Sequence, residues 1–182
     1  MAKIKTSVLR RAKKIRLLLM DVDGVLADGA IFLIATPDGK LSEMKAYSSL
    51  DGAGLRLAQR AGLRTGIITG RESPAVTARA RELGMDYLEQ DAFEKLPAYE
   101  KIRRASRLGH EEICFIGDDV TDLPVFARVG LAVSVPNAHE EARRRAHYVT
   151  TSRGGYGAVR EVVDLLLRAQ GRYQKLLRHF TR

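Results

Sequence analysis

Apolar runs alternate with amphipathic stretches along most of this chain. Four of the runs are apolar throughout, which is typical of parallel strands that helices cover on both faces. They are residues 16–22, 64–69, 113–117 and 130–135. Helical spacing is found at residues 52–61, 73–83, 95–107, 120–128, 138–145 and 157–169, and a short strand is predicted at 147–150. The pattern predicts an α/β fold with a doubly wound parallel sheet.

One segment, residues 30–47, breaks this alternation. Two extended runs there flank Pro37, Asp38 and Gly39, which together are a strong turn signal. We therefore expect a β-hairpin inserted after the first strand. The rest of the chain contains no internal repeat and no linker, so residues 1–182 are expected to form a single domain.

The composition favours a cytoplasmic protein. No apolar run approaches the about 20 residues of a membrane-spanning helix, and the basic N-terminus does not lead into a secretory signal. Cys114 is the single cysteine, so no intramolecular disulfide can form, and its apolar surroundings predict a buried packing role. We expect no contact with a membrane.

The formal net charge of +9 raises the possibility of nucleic-acid binding. Much of the charge lies near the two ends of the chain, in residues 3–16 and 168–182. The chain has no tryptophan, only 6% of its residues are aromatic, and no nucleic-acid motif is present. A basic face that attracts an anionic substrate is the preferred interpretation, and a nucleic-acid-binding protein is kept as an alternative.

Polar residues that end the apolar strands are the first candidates for a site, because ligands of open parallel sheets bind beyond the carboxyl ends of the strands. The first strand runs into Asp21 and Asp23, whose side chains point the same way along an extended backbone. Two such carboxylates repel each other unless a cation lies between them or they share a proton. Magnesium suits an oxygen-rich site that is shared with phosphate.

The later strand ends complete the candidate site. Thr69, Gly70 and Arg71 offer a hydroxyl, a backbone open to close approach, and a guanidinium that matches phosphate oxygens. Lys95 begins a helix and can supply a positive charge to a phosphoryl oxygen and to the nucleophile. The last strand end adds the carboxylates of Asp118, Asp119 and Asp122, which could complete the metal shell. For Asp119 and Asp122 the preferred role is to orient metal-bound water, and capping of the next helix is the alternative.

These parts match the needs of phosphoryl transfer, which are a nucleophile, a metal and fixed donors around the phosphoryl oxygens. Asp21 would attack phosphorus to give an aspartyl-phosphate, and Asp23 would protonate the leaving oxygen and later deprotonate water. The receiver domain of signalling proteins uses similar residues. In receivers, however, the aspartate pair lies at the first strand, a lone phosphoacceptor follows and the lysine comes last.

The motifs DVDG, TGR, Lys95 and GDDVTD resemble, in order, the four motifs of the haloacid dehalogenase superfamily of phosphatases. The resemblance implies that Asp21 is the nucleophile and Asp23 the general acid and base, and that Thr69 and Lys95 bind phosphate. It also implies a magnesium ion held by the carboxylates of Asp21 and Asp118 and by the backbone carbonyl of Asp23.

The stretches KKIRLLLMDVDGVLADG, IITGRES, GDDVTDLPVF and RGGYGAVREVVDLLLRAQG resemble the 3-deoxy-D-manno-octulosonate 8-phosphate (KDO 8-phosphate) phosphatase family over nearly the whole chain. That family makes a sugar acid for lipopolysaccharide and lacks a cap domain, and the hairpin here is likewise too small to be a lid. The resemblance implies a homotetramer in which hairpins meet at the centre and C-terminal tails reach neighbouring sites. It also implies that Arg71 and Arg79 hold the anionic substrate.

The chain departs from that family at two places. The family usually shows FNVRDG before its helix, whereas residues 47–50 here are YSSL, so the arginine is absent before Asp51, itself a candidate substrate-binding residue. The glycine-rich tail often has a lysine where this chain has Tyr156. A related nine-carbon ketoacid phosphate, or another sugar phosphate, is therefore a second candidate substrate.

Overall fold

A six-stranded parallel sheet forms the centre of the protein. In this computed structural model, residues 4–179 are described. The strands of the sheet lie in the order β5-β4-β1-β6-β7-β8, and every neighbouring pair is parallel. Their bounds are β1 Leu17–Met20, β4 Arg64–Ile68, β5 Tyr87–Glu89, β6 Ile113–Ile116, β7 Leu131–Ser134 and β8 Tyr148–Val149. The predicted doubly wound α/β sheet is confirmed.

Helices connect the strands and cover the sheet. Their bounds are α1 Thr6–Ala12, α2 Ser49–Arg60, α3 Pro74–Leu83, α4 Lys95–Ser106, α5 Leu123–Phe126, α6 Glu140–Arg145, α7 Ala158–Ala169 and α8 Tyr173–Leu177. Strand β1, at the centre of the sheet, is buried along its whole length, as are β6 and β7. This burial explains why their sequences are apolar throughout.

The predicted hairpin is present. Strands β2 (Phe32–Ala35) and β3 (Leu41–Met44) pair antiparallel, and both are largely exposed. We call these two strands and their turn the hairpin. Apart from the turn Val22–Leu26, the hairpin is the only element between β1 and α2 among the described residues, and residues 4–179 contain no cap domain.

Four details differ from the sequence predictions. Strand β5 and the terminal helices α1 and α8 were not predicted, since their segments are short and rich in polar residues. The helix predicted at 120–128 is instead a tight turn at Val120–Asp122, whose first amide donates to the carboxylate of Asp119, followed by the short α5. No helix in residues 4–179 is long and apolar enough to cross a bilayer.

Candidate active site

Asp21 follows β1 at the carboxyl edge of the sheet. Its main-chain nitrogen donates to the carbonyl of Ile116 at 2.9 Å, which continues the pairing of β1 with β6. Its carboxylate is buried, and Oδ1 accepts a hydrogen bond of 2.6 Å from the main-chain nitrogen of Val22. Residues Val22–Leu26 then form a wide turn, which a hydrogen bond of 2.8 Å from the main-chain nitrogen of Ala27 to the carbonyl of Val22 closes. The side chain of Asp21 is thus held at the predicted strand end.

Lys95 joins two buried carboxylates. Its Nζ lies 2.5 Å from Oδ2 of Asp21 and 2.5 Å from Oδ1 of Asp122, and only 2% of the lysine is exposed. The other oxygen of Asp122 accepts hydrogen bonds from the main-chain nitrogens of Asp118 and Asp119, at 2.8 and 3.0 Å. Both oxygens of Asp122 are therefore engaged in holding Lys95 and the loop after β6.

The site carries more negative than positive charge. Asp21, Asp118 and Asp122 each place a carboxylate oxygen within 4.8 Å of the others. Burial raises the pKa of Asp21 to about 6, with Lys95 opposing and Asp122 adding to this effect. Burial, and then the charges of Asp21 and Asp122, raise the pKa of Asp118 to about 8. The single positive charge of Lys95 thus does not balance the three carboxylates, and an additional cation would stabilise the site.

This donor set fits a magnesium ion. Within residues 4–179, no group donates a hydrogen bond to the carboxylate of Asp118, and hard divalent cations prefer such oxygen ligands. Asp118 is the side chain best suited to hold the ion, because both oxygens of Asp21 and both oxygens of Asp122 already accept hydrogen bonds. Binding by the carboxylate of Asp21, which the resemblance implies, stays a prediction. Binding by the carbonyl of Asp23 stays a prediction.

Gly24 allows the loops of the site to approach closely. It adopts a φ of +83°, and a Cβ at this position would overlap the carboxylate of Asp118. The side chain of Asn137 donates to the carbonyl of Gly24 at 2.9 Å and accepts from the nitrogen of Gly154 at 2.8 Å. Asn137 thus joins the glycine-rich tail loop to the turn Val22–Leu26, a role that sequence reasoning missed.

Asp23 lies in an ion-pair network that the sequence did not predict. Its Oδ1 accepts a hydrogen bond of 2.5 Å from Nζ of Lys45, which also lies 2.6 Å from Oε1 of Glu43. Nε of Arg71 lies 4.0 Å from Asp23 Oδ2. Burial lowers the pKa of Lys45, but its hydrogen bonds to the two carboxylates outweigh this and raise the pKa above its ordinary value. The alternation of Glu43 and Lys45 along the hairpin was the available signal.

The predicted phosphate-binding residues follow β4. Thr69 is buried, and its main-chain nitrogen donates to the carbonyl of Glu89 at 3.0 Å. Gly70 packs against the backbone of Phe93, and a Cβ there would reach ordinary contact at 3.5 Å. The side chain of Arg71 is half-exposed at 49% and remains able to meet a ligand.

Arg79 lies on α3 and turns toward the start of α2. It donates to the carbonyl of Ser48 at 3.4 Å and to the carboxylate of Glu82 at 2.8 Å, and its guanidinium lies 5.3 Å from the centre of the Tyr47 ring. Most of the side chain is buried, with 14% exposed. This arrangement places Arg79 next to residues 47–50, where the family arginine is absent.

Asp51 has a different position from the one expected for a ligand-binding residue. Its carboxylate is fully buried and accepts hydrogen bonds from the main-chain nitrogens of Gly157 and Arg160, at 3.1 and 2.7 Å. It thereby satisfies amides at the start of α7 and joins α2 to that helix. The structure favours this structural role for Asp51 over the substrate-binding role predicted from the sequence.

The carboxylate of Asp119 is exposed and caps a turn. It accepts a hydrogen bond of 2.7 Å from the main-chain nitrogen of Val120, at the start of the turn Val120–Asp122. This is the capping alternative left open by the sequence.

Tyr156 occupies the position in the tail where the family often has a lysine. Its side chain is exposed at 64%, and its hydroxyl lies 3.5 Å from Oδ2 of Asp28.

Comparison with known proteins identifies the family. The chain is 42% identical over 171 residues to the 3-deoxy-D-manno-octulosonate 8-phosphate phosphatase KdsC of Yersinia pestis, covering 94% of this chain and 89% of that protein. A family model described as haloacid dehalogenase-like hydrolase matches residues 40–130. The chain belongs to the haloacid dehalogenase-like hydrolases. This membership excludes the alternative that the chain is a receiver domain.

Solved structures of other haloacid dehalogenase-like hydrolases share the fold. The crystal structure of the Yersinia pestis phosphatase superimposes with a TM-score of 0.88 at 43% identity, covering 93% of this chain and 89% of that one. The Moraxella catarrhalis phosphatase, solved with a magnesium ion, a phosphate ion and a KDO molecule, has a TM-score of 0.89 at 39% identity and covers 95% and 97%. The comparisons do not favour the nucleic-acid alternative.

Proposed function

We propose that this haloacid dehalogenase-like hydrolase is a magnesium-dependent phosphatase that converts KDO 8-phosphate to KDO and phosphate. The observation that carries the proposal is the cluster at the carboxyl edge of the sheet, where Lys95 bridges Asp21 and Asp122 beside Asp118. The relatives reported above are named as phosphatases of this ester, and the one from Moraxella catarrhalis was solved with magnesium, phosphate and KDO.

In the first step, a carboxylate oxygen of Asp21 attacks phosphorus and the bond from phosphorus to the sugar oxygen breaks. The hydrogen bonds from Val22 and Lys95 fix the attacking carboxylate, which is the positioning that phosphoryl transfer requires. Asp23 gives its proton to the departing oxygen. A magnesium ion held by Asp21 and Asp118 would neutralise charge on the phosphoryl oxygens.

In the second step, Asp23 takes a proton from a water molecule, whose oxygen attacks the phosphorus of the aspartyl-phosphate. The bond between phosphorus and Asp21 breaks, and the carboxylate returns to its contact with Lys95. Thr69 and Lys95 would hold the phosphoryl group through both steps, since both lie at the same edge of the sheet. The proton that Asp23 lost in the first step is thus restored.

A substrate panel tests the proposal. With magnesium, we expect kcat/KM for KDO 8-phosphate to exceed that for hexose phosphates, whose sugars carry no carboxylate, by about 10- to 100-fold. The half-exposed Arg71 lies beside Asp23, and a charge-assisted contact with the carboxylate is worth about 1.5–3 kcal/mol. A nine-carbon ketoacid 9-phosphate is the critical competitor. Faster turnover of that ester would make the nine-carbon ketoacid phosphate the assigned substrate and would not change the proposed mechanism.

The hairpin supports a second part of the proposal, a homotetramer. The hairpin and the residue before it expose six large apolar side chains, which is unusual for a surface that water covers. These are Ile31, Phe32, Leu33, Ile34, Leu41 and Met44, each between 46% and 67% exposed. A second copy of this chain is the proposed occupant, and four hairpins meeting at the centre would bury them.

Replacing Leu33 or Ile34 with glutamate is expected to convert the tetramer to monomers or dimers, because a charge in a buried apolar interface is costly. Sedimentation velocity measures the change, and Lys40→Ala in the hairpin turn is the matched control. A wild-type protein that sediments as a monomer at micromolar concentration would contradict the tetramer.

We further propose one domain over residues 1–182 and a cytoplasmic location. Side chains from α1 through α7 enter one hydrophobic core, which supports the single domain. Cys114 is fully buried and unpaired, which is compatible with a reducing compartment. Limited proteolysis checks the domain proposal, which predicts no cut within the core elements.

A further inference from the structure

Lys45 lies between the hairpin and the turn Val22–Leu26, which carries Asp23. Its side chain is completely shielded from solvent, and its Nζ contacts Oδ1 of Asp23 at 2.5 Å and Oε1 of Glu43 at 2.6 Å. Lysines are almost never fully buried unless they are paired with acids. The two carboxylates therefore explain how this lysine is tolerated, but not why it is directed at Asp23.

The backbone on both sides of Lys45 is held in place. Met44, which precedes it, pairs with Phe32 in the hairpin, and Tyr47, two residues later, forms an antiparallel bridge with Ala27. Ala27 directly follows the turn Val22–Leu26 that carries Asp23. The position of the lysine relative to Asp23 is thus fixed by backbone pairing.

We infer that Lys45 is a positioning residue, which holds the carboxyl group of Asp23 toward the departing oxygen of the substrate. The inference rests on the proposed function, in which Asp23 is the general acid. Lys45 occupies only Oδ1 of Asp23, so Oδ2 receives no hydrogen bond from any described residue. Oδ2 is therefore the atom that transfers the proton.

Glu43 and Arg71 have separate parts in this arrangement. Glu43 gives Lys45 a second partner, which keeps the lysine in place when Asp23 carries a proton. Arg71 lies 4.0 Å from Asp23 and 3.8 Å from Glu43, beyond hydrogen-bond distance of both, and is half-exposed. Arg71 can thus turn to a substrate oxygen without releasing Asp23, because Lys45 remains.

The same contacts would also serve a purely structural role, in which Lys45 only fastens the hairpin to the sheet. The leaving group separates the two roles. Departure of a sugar hydroxyl requires a proton from Asp23 as the bond to phosphorus breaks, and the bonding electron pair stays on the oxygen. Departure of p-nitrophenolate requires no proton, because this anion is stable in water. A positioning residue therefore affects the sugar ester selectively.

The experiment measures release of the leaving group in a single turnover, with enzyme in excess and magnesium present. It compares KDO 8-phosphate with p-nitrophenyl phosphate, so that only the first step is observed. For Lys45→Met we expect a rate lower by about 100-fold on the sugar ester and little change on the aryl ester, since a misplaced catalytic group costs about this factor. Lys45→Arg should restore part of the loss, and Lys40→Met, in the turn of the neighbouring hairpin, is the control.

Three outcomes are informative. Equal losses on both esters, or no loss on either, would overturn the positioning role. Asp23→Asn is measured alongside, and full activity of that variant on the sugar ester would instead refute the proposed function of Asp23. If Lys45→Met does not fold, the double variant Lys45→Met/Glu43→Gln removes one cation and one anion together and makes the same comparison.

Discussion

Asp21→Asn is expected to lower kcat for phosphate release by about 10⁴-fold or more, the scale of loss when a nucleophile is removed. The amide has nearly the shape of the carboxylate but cannot form the aspartyl-phosphate. Because burial already raises the pKa of Asp21 to about 6, removing its charge should not destabilise the metal-free protein. A continuous assay of phosphate with magnesium measures the loss.

The matched control is Asp38→Asn, a substitution of an exposed carboxylate in the hairpin turn. It should keep nearly full activity. If Asp21→Asn retained more than about a hundredth of the wild-type rate, another group would have to be the nucleophile, since such a residual rate greatly exceeds what positioning alone supplies.

Lys95→Met is expected to have the largest effect on stability. The substitution keeps the apolar stem but leaves Asp21 and Asp122 without the cation that bridges them at 2.5 Å. Breaking a buried ion pair by removing one partner costs about 3–5 kcal/mol. Urea unfolding of the metal-free protein at pH 7.5 gives the change in the free energy of unfolding.

The pH dependence of that loss has a definite sign. A carboxyl group whose pKa is raised in the folded protein contributes stability at low pH that is lost as the pH rises through the folded pKa. The pKa of Asp21 is raised even with Lys95 present and would rise further without it. The deficit of Lys95→Met should therefore shrink from pH 7.5 to pH 5.

Lys101→Met, in the same helix, is the control for this measurement. Lys101 forms an exposed ion pair with Glu89, and such surface pairs contribute about 0–1 kcal/mol. A Lys95→Met protein as stable as Lys101→Met would contradict the view that Lys95 balances the charge of the site.

The sequence predicted the parts of the fold whose pattern is strong. The apolar strands β1, β4, β6 and β7 were recognised because helices cover both faces of the sheet, and the hairpin because its turn residues are distinctive. Strand β5 was missed, since its residues Tyr87–Glu89 are only half-buried at the edge of the sheet. Helix α1 was missed because it is short and buries only Val8 and Ala12, so its apolar pattern is weak among the basic residues around it.

The sequence likewise predicted only those residues of the candidate site that lie at strand ends or helix starts. Asp21, Lys95 and Asp118 were found because each lies where a strand ends or a helix begins, so the topology alone brings them together. Lys45 and Asn137 come from segments whose approach to the site depends on tertiary packing, which periodicity does not encode. The burial of Asp51 beneath α7 likewise depends on how two helices meet.

The most direct test of the central claim is to identify the residue that carries the phosphoryl group during turnover. Enzyme mixed with magnesium and KDO 8-phosphate is quenched in acid within one turnover, digested and analysed by mass spectrometry. We expect one phosphoryl group on the peptide that contains Asp21, and none in Asp21→Asn. Turnover of KDO 8-phosphate with the phosphoryl group on a different residue, or with no phosphorylated peptide at any quench time, would contradict the account.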